Sequence, residues 1–348
     1  MKRNEIHFRG CLLGGAIGDA LGWPVEFLTA EQIKRRYGGT GITDLQLGSG
    51  GKAEITDDTQ MTLFTAEGLL RGYTRGNEKG ICHLPTMVYH SYLRWLYTQG
   101  YPKREDLGFI YNSWLLGIEE LHQQRGPGHT CLSALSSGTM GTIEEPINDS
   151  KGCGGVMRSA PVGLICRKEN AFELACECAA LTHGHPSGYL SAGVLAHIVV
   201  LLIEGMDLED AVLGALEVLE TYPGHEECTA AVKKAVELSQ IDTDPSTAIR
   251  VIGKGWVGEE AIGIAVYCAL KYKSDFRQAL VVSVNHNGDS DSTGAITGNI
   301  LGAYLGLGQI PKEWIDKVEF FDVLIQIADD LLAGYEDSDE WRKRYSGY

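Results

Sequence analysis

Apolar residues in this chain recur at the spacing of a helix face and almost never at that of a strand. Over 208–219 they stand at Leu208, Ala211, Val212, Ala215, Leu216 and Leu219, one stripe of an amphipathic helix. Asp207 precedes it as a fitting N-cap, and Pro223-Gly224 is a stop signal. The same period returns over 61–70, 110–121, 172–181, 230–238, 261–270, 296–305 and 318–332. Only 42–47 reads as a short strand or turn, and the β-branched run 280–284 fits neither pattern. A parallel sheet needs repeated strand–helix alternation, which is missing, so the expected fold class is all-α. No Pro/Ser linker, composition shift or fixed-period repeat divides the sequence, and one domain over 1–348 is expected.

Charge narrows the partners. The 30 Lys and Arg residues against 46 Asp and Glu leave a net charge of −16, which repels a phosphate backbone and makes nucleic acid an unexpected partner. An anionic ligand would then need local donors or a bound cation. Nine cysteines, odd in number and without a CxxC pair, read as free thiols in a reducing compartment. The opening MKRNEIHFRG has no apolar signal core, and the apolar run 194–203, interrupted by His197, reads as too short to span a bilayer. The expectation is a cytoplasmic protein without a membrane partner.

Two acidic clusters stand out from this background. Thr56-Asp57-Asp58 lies where a Gly-rich loop (48–51) meets the helix beginning near Met61, and Asp289-Ser290-Asp291-Ser292 lies at a second loop-to-helix junction. Helix capping accounts for one Asp or Thr at each place. It does not account for a second acid beside the first, because neighbouring carboxylates repel unless a cation lies between them. The EF-hand pattern fails for want of a glutamate at its twelfth position. Hard oxygen donors at both junctions suit magnesium, calcium or manganese, and two such ions can orient an oxygen-rich substrate and activate water.

Around these clusters, an ordered set of motifs strongly resembles the ADP-ribosylglycohydrolase family. It comprises Gly14-Gly-Ala-Ile-Gly18-Asp19-Ala-Leu-Gly22, Glu26, Thr56-Asp57-Asp58, Gly152-Cys-Gly-Gly-Val-Met-Arg158 and Gly288-Asp-Ser-Asp-Ser-Thr-Gly294. The resemblance extends over about 10–332, leaving a short charged and aromatic tail at 335–348 that reads as packing on the body. It implies a single orthogonal multi-helix bundle with two Mg2+ (or Mn2+) ions held by Thr56, Asp57, Asp58, Asp289, Asp291 and Ser292. Many relatives carry Thr where Ser292 stands, and either hydroxyl can coordinate. The catalytic residues it implies are Glu26, Asp57 and Asp58, and the residues implied against ADP-ribose are Gly152, Cys153, Gly154, Gly155, Met157 and His183. Asp19 reads equally as a helix-stabilising residue.

The Gly152–Arg158 stretch has neither the ending of a P-loop nor the preceding strand of a dinucleotide fingerprint, but amides at the start of the helix after it could cradle a diphosphate. Lys151 or Arg158 could add a cation there, or Arg158 could brace the fold. His183-Gly-His185 lacks a third ligand for zinc, and His286 and Asn287 read as orienting neighbours of the second cluster. The reaction expected from the resemblance is hydrolysis of the bond joining ADP-ribose to a protein side chain, arginine first. The alternatives are ADP-ribosyl-serine, a small ADP-ribose derivative, or enzymatic immunity against an ADP-ribosyltransferase toxin.

Overall fold

The computed structural model describes residues 2–348. The chain runs through α1 (Glu5–Gly22), α2 (Ala30–Tyr37), α3 (Asp57–Lys79), α4 (Leu84–Thr98), α5 (His129–Ser136) and α6 (Ala160–Ile165). It continues through α7 (Lys168–Ala180), α8 (Pro186–Glu204), α9 (Leu208–Leu219), α10 (Glu226–Gln240), α11 (Pro245–Ile252) and α12 (Gly258–Lys271). The last elements are α13 (Phe276–Val284), α14 (Ser290–Leu305), α15 (Lys312–Ile315), α16 (Phe321–Ala333) and α17 (Asp339–Arg344). Among the described residues the only strand-like pairings are two isolated bridges, Ala53 with Val318 and Gly152 with Val257. The fold is all-α.

Helix α8 is apolar on every side, and a helix of that kind must be wrapped. Every residue from Ser187 to Ile203 is buried, and α6, α7, α9, α12 and α14 pack around it. This corrects the reading of its apolar run as too short for a bilayer. The helix is 19 residues and long and apolar enough to cross one, but 94% of its apolar window is covered by the rest of the protein.

The pairing of α1 with α14 governs the site. A Cβ added at Gly10, Gly14 or Gly18 would lie 2.5, 2.3 or 2.0 Å from the carbonyl oxygens of Gly302, Gly298 and Gly294, closer than real Cβ atoms come. The converse holds for Gly294, Gly298 and Gly302 against Gly18, Gly14 and Gly10. Glycine at every fourth position of both helices therefore lets two antiparallel backbones touch along one ridge. Continuing the register brings Gly22, at the end of α1, against the Ser290 carbonyl at the start of α14. Asp19, fully buried on α1, accepts hydrogen bonds from the Thr56 amide (3.0 and 3.1 Å), the Thr59 amide (3.1 Å) and the Thr59 hydroxyl (2.5 Å). One helix thus fixes the starts of two others, α3 and α14.

Elsewhere the periodicity was partly misleading. The expected helix over 110–121 is instead three short 3-10 turns, Glu105–Tyr111, Leu115–Gly117 and Glu119–His122. Asn112 and Ser113 between them are drawn into a buried network, with Arg71 donating to the Asn112 carbonyl and Ser113 Oγ donating to Glu67 at 2.6 Å. The run 280–284 lies in α13, where Asp275 caps the Gln278 amide and Phe276, Leu280 and Val284 bury one face. Packing overrides the β-branched propensity there. The segment 42–47 carries no strand. Asp207 caps α9 through the Glu209 amide, and the helix ends at Leu219, ahead of Pro223. The tail packs as expected: Trp341 and Tyr345 are buried, donating to Thr74 Oγ1 (2.8 Å) and Asp330 Oδ2 (2.7 Å). All nine cysteines are free, and seven are buried.

Candidate active site

Because α1 holds the starts of α3 and α14 together, the two acidic clusters meet. Thr56 is the N-cap of α3, its hydroxyl accepting from the Asp58 amide at 3.3 Å, and Asp289 is the N-cap of α14, accepting from the Ser292 amide at 3.2 Å. The capping explanation is therefore correct for one residue of each cluster, and the remaining acids are spare. Asp57, Asp58, Asp289, Asp291, Ser292 and Glu26 line one cleft, whose empty volume counted out to its mouth is about 640 Å³.

The electrostatics of this cleft are costly. Burial, and then Asp289 and Asp57, push the Glu26 carboxyl up to about 8. Burial, with Asp19 and Asp289 adding to it, takes Asp57 up to about 8 although the Gly128 amide donates to it at 3.1 Å. Asp58 and Asp291 are raised well above the carboxylate range, first by burial and then by the surrounding acids. Burial raises Asp289 as well. Asp58 Oδ1 and Glu26 Oε2 are buried without a hydrogen-bond partner.

That combination tests the fit of divalent cations. Buried oxygens with no partner, among carboxylates that burial and mutual repulsion keep from ionising, match hard cations that supply the missing charge. Among the described residues no three Asp, Glu, His or Cys side chains already close on a single point. The fit therefore rests on donor type and on the orphan Asp58 Oδ1, which belongs to the clusters themselves. The Thr56 hydroxyl, 3.3 Å from Asp58 Oδ2, and the Ser292 hydroxyl lie beside the carboxylates as further oxygen donors.

The glycine-rich stretch builds a further part of the cleft wall. Gly152, Cys153, Gly154, Met157 and His183 line the cleft. Gly155 does not reach it: a Cβ there would lie 2.6 Å from the Gly188 carbonyl, so this glycine allows close packing on α8. Cys153–Gly155 is a single 3-10 turn, and the helix after it, α6, starts in the core at Ala160 and does not line the cleft. Cys153 Sγ donates to Asp289 Oδ2 at 2.7 Å. His183 is held through a relay. Arg158 donates to Thr182 Oγ1 (2.7 Å), and that hydroxyl lies 2.8 Å from His183 Nδ1. The Thr182 hydroxyl, with two lone pairs and one proton, can pair with His183 Nδ1 in either tautomer, so the relay fixes the ring's position. Burial, and then Arg158, lowers the imidazole to about 3, so it is neutral.

Arg158 itself is walled off, 1% exposed over the Tyr92 ring, and Lys151 is occupied by Glu259 (2.7 Å) and Glu227 (3.0 Å). Neither lines the cleft. His185 caps α8 through the Ser187 amide. His286 is buried, its Nε2 2.9 Å from Thr293 Oγ1, and Asn287 Oδ1 accepts from the Ala30 amide at 2.6 Å, so both brace the loop before Asp289.

Sequence reasoning missed Gly126, Gly128, His129, Thr130, Cys131 and Trp256, which also line the cleft. The first five form the entry into α5. The start of that helix has no side-chain cap, so its free amides and positive dipole end lie at the cleft. The Gly126-Pro-Gly128 turn before a helical stretch was the available signal. Trp256 stacks on Phe27 at the mouth, ring centroids 5.8 Å apart, and nothing in its sequence neighbourhood marks it.

The ADP-ribosylglycohydrolase family profile matches residues 2–340. A mouse ADP-ribosylhydrolase ARH3 is 25% identical, over 97% of this chain and 94% of its own. The ADP-ribosylarginine hydrolase Tri1 of Serratia proteamaculans is 26% identical over 94% and 80%. The ADP-ribosyl-[dinitrogen reductase] glycohydrolase of Rhodospirillum rubrum is 26% identical over 92% and 93%. Among solved structures, one described as an ADP-ribosylglycohydrolase-related protein complex shares the fold, with a TM-score of 0.68 over 96% of this chain and 99% of that one at 24% identity. The chain belongs to the ADP-ribosylglycohydrolase family of enzymes.

Proposed function

We propose that this protein is a divalent-cation-dependent hydrolase that releases ADP-ribose from mono-ADP-ribosylated protein side chains, with arginine as the acceptor. The observation that carries this reading is the burial of Glu26, Asp57, Asp58, Asp289 and Asp291 around one cleft, with Asp58 Oδ1 and Glu26 Oε2 left unpartnered. Thr56, Asp57, Asp58, Asp289, Asp291 and Ser292 would hold two Mg2+ or Mn2+ ions. Such ions, when bound, supply Lewis-acid polarisation and a water that readily loses a proton.

The chain's own groups do the rest. The uncapped amides of α5 and the backbone of Gly152–Gly154 receive the diphosphate, supplying local donors against the acidic background. The neutral His183 imidazole, which lines the cleft, makes a polar contact with the bound ligand. As the glycosidic bond lengthens, positive charge grows on the anomeric carbon and the surrounding carboxylates balance it. Glu26, which lines the cleft beside the acids of both clusters, is placed to hand a proton to the leaving side-chain atom. Asp57 or Asp58 takes the proton from the attacking water. The arginine acceptor is supported by the Tri1 relatives, which are ADP-ribosylarginine hydrolases by name.

The test is to give the purified protein arginine-, serine- and cysteine-linked ADP-ribosyl peptides with magnesium, then after EDTA. Release from arginine alone is expected, lost with EDTA and restored by magnesium or manganese. Release from serine instead would replace the acceptor. Release that survives EDTA, or none from any linkage, would overturn the proposal.

A further inference from the structure

Another depression lies beside the cleft, lined among others by Lys34, Arg250, Lys254, Glu260, Asn285 and Asn287. Three chain segments are shared between the two. Glu26 at the cleft leads into Ala30 and Lys34 on α2, Lys254 precedes the cleft residue Trp256, and Asn285 and Asn287 precede Asp289. A macromolecule with its modified side chain in the cleft therefore has its flanking residues within reach of this groove.

The groove departs from the rest of the surface in charge. On a protein of net charge −16, Lys34, Arg250 and Lys254 are all exposed, and among the described residues none has a carboxylate within 4.0 Å. Two carboxylates lie near them and keep their charge, so the groove sets three cations against two acids. Glu260 Oε2 accepts from the Lys254 and Gly255 amides (2.9 and 3.2 Å). Asp244, which senses Lys34, caps α11 by accepting from the Ser246 hydroxyl and the Thr247 amide. The global negative charge does not cancel such a patch, because exposed charges beyond a Debye length of about 8 Å are screened at physiological salt. Exposed unpaired cations beside a binding cleft raise the encounter rate and select partners of opposite charge.

We propose that the Lys34–Arg250–Lys254 groove is a docking surface for an acidic segment of the protein substrate, flanking the ADP-ribosylated residue. This rests on the hydrolase reading above and adds to it a partner chemistry: the substrate carries Asp and Glu near its modified side chain. The groove acts on substrate capture and leaves the bond-breaking groups untouched. Its contribution weakens with salt, while the cleft's own affinity for the ADP-ribosyl group does not follow the same slope.

The experiment compares wild type with Lys34→Glu/Arg250→Glu on three substrates sharing the linkage that wild type cleaves. These are the free ADP-ribosylated amino acid, a peptide with acidic flanks and one with basic flanks. Wild type should favour the acidic peptide in kcat/KM, and the variant should lose about fivefold on it through KM, as expected for two exposed charge pairs. The free amino-acid substrate should be unaffected, and Lys34→Arg/Arg250→Lys should restore the preference. No flank preference in wild type, or an equal loss on all three substrates, would overturn the proposal. Fluorescence anisotropy of an unmodified Asp/Glu-rich peptide provides a readout independent of catalysis. Salt-sensitive binding lost in the charge-reversed variant supports the groove even if no linkage is cleaved, and absence of binding together with absence of flank preference rejects it. Tight capture of a single-stranded oligonucleotide in preference to the peptide would reassign the groove to nucleic acid and also reject the proposal.

Discussion

At the scale of single residues, Glu26 is the sharpest case. Its segment, Gly22-Trp-Pro-Val-Glu26, is a short 3-10 turn that carries the carboxylate from the end of α1 over the acids at the start of α14. The side chain is 8% exposed with one oxygen unpartnered. Glu26→Gln keeps the shape and removes the transferable proton. The expected result is a fall in kcat of about a hundredfold or more, the usual range for a lost general acid, with cation binding and folding unchanged. Stopped assays with a calorimetric check of Mn2+ binding would show this, and a variant with undiminished kcat would remove Glu26 from the chemistry. The clusters were legible in the sequence because paired acids at helix starts exceed what capping needs, and Glu26 only through the family resemblance. Trp256 and the α5 entry were not. Their role arises only when segments far apart in sequence share one wall; the Gly126-Pro-Gly128 turn marks a helix entry but not where that entry lies.

At the scale of elements, the glycines of the first and last motifs are the contact ridge of α1 on α14. A sequence period of four glycines is visible, but its pairing partner, nearly the whole chain away, is not. The ridge sets where Asp289 and Asp291 stand relative to Glu26, and Asp19 on the same helix sets where Asp57 and Asp58 stand. Gly18→Ala adds one methyl that would lie 2.0 Å from the Gly294 carbonyl, backbone against backbone, with no side chain able to yield. Overpacking of this kind costs about 1–3 kcal/mol and sometimes more. Denaturant unfolding should show that loss, and residual activity should drop by more than the folded fraction, because the two clusters separate. Unchanged stability would mean that the helices part freely. The reverse lesson comes from 110–121, where helical periodicity is present but Glu67 and Arg71 draw Ser113 and Asn112 into their buried network and the helix breaks into turns.

At the scale of the whole molecule, the fold concentrates several buried acids at one place in a chain already rich in negative charge. Each raised carboxyl is protonated more readily when folded than when unfolded. Its stabilising contribution is therefore complete below the ordinary carboxylate pKa of about 4 and is lost as pH rises toward the folded values, about 8 for Glu26 and for Asp57. Without a cation the protein should thus become less stable from mildly acidic to mildly alkaline pH. A bound divalent cation reverses this, since it requires the carboxylates ionised and stabilises only the folded form. All-α architecture and the positions of the acids could be read from periodicity and composition. The electrostatic cost of gathering them could not, because it depends on burial.

The most direct test of the central claim, that both clusters form one cation centre, is the thermal midpoint of EDTA-treated protein between about pH 5 and about pH 9, with and without Mn2+. The metal-free midpoint should fall with rising pH, and Mn2+ should raise it most at the alkaline end, with both effects diminished in Asp58→Asn and equally in Asp291→Asn. A midpoint that Mn2+ leaves unmoved at every pH, or a Mn2+ response that survives intact in either variant, would contradict the account.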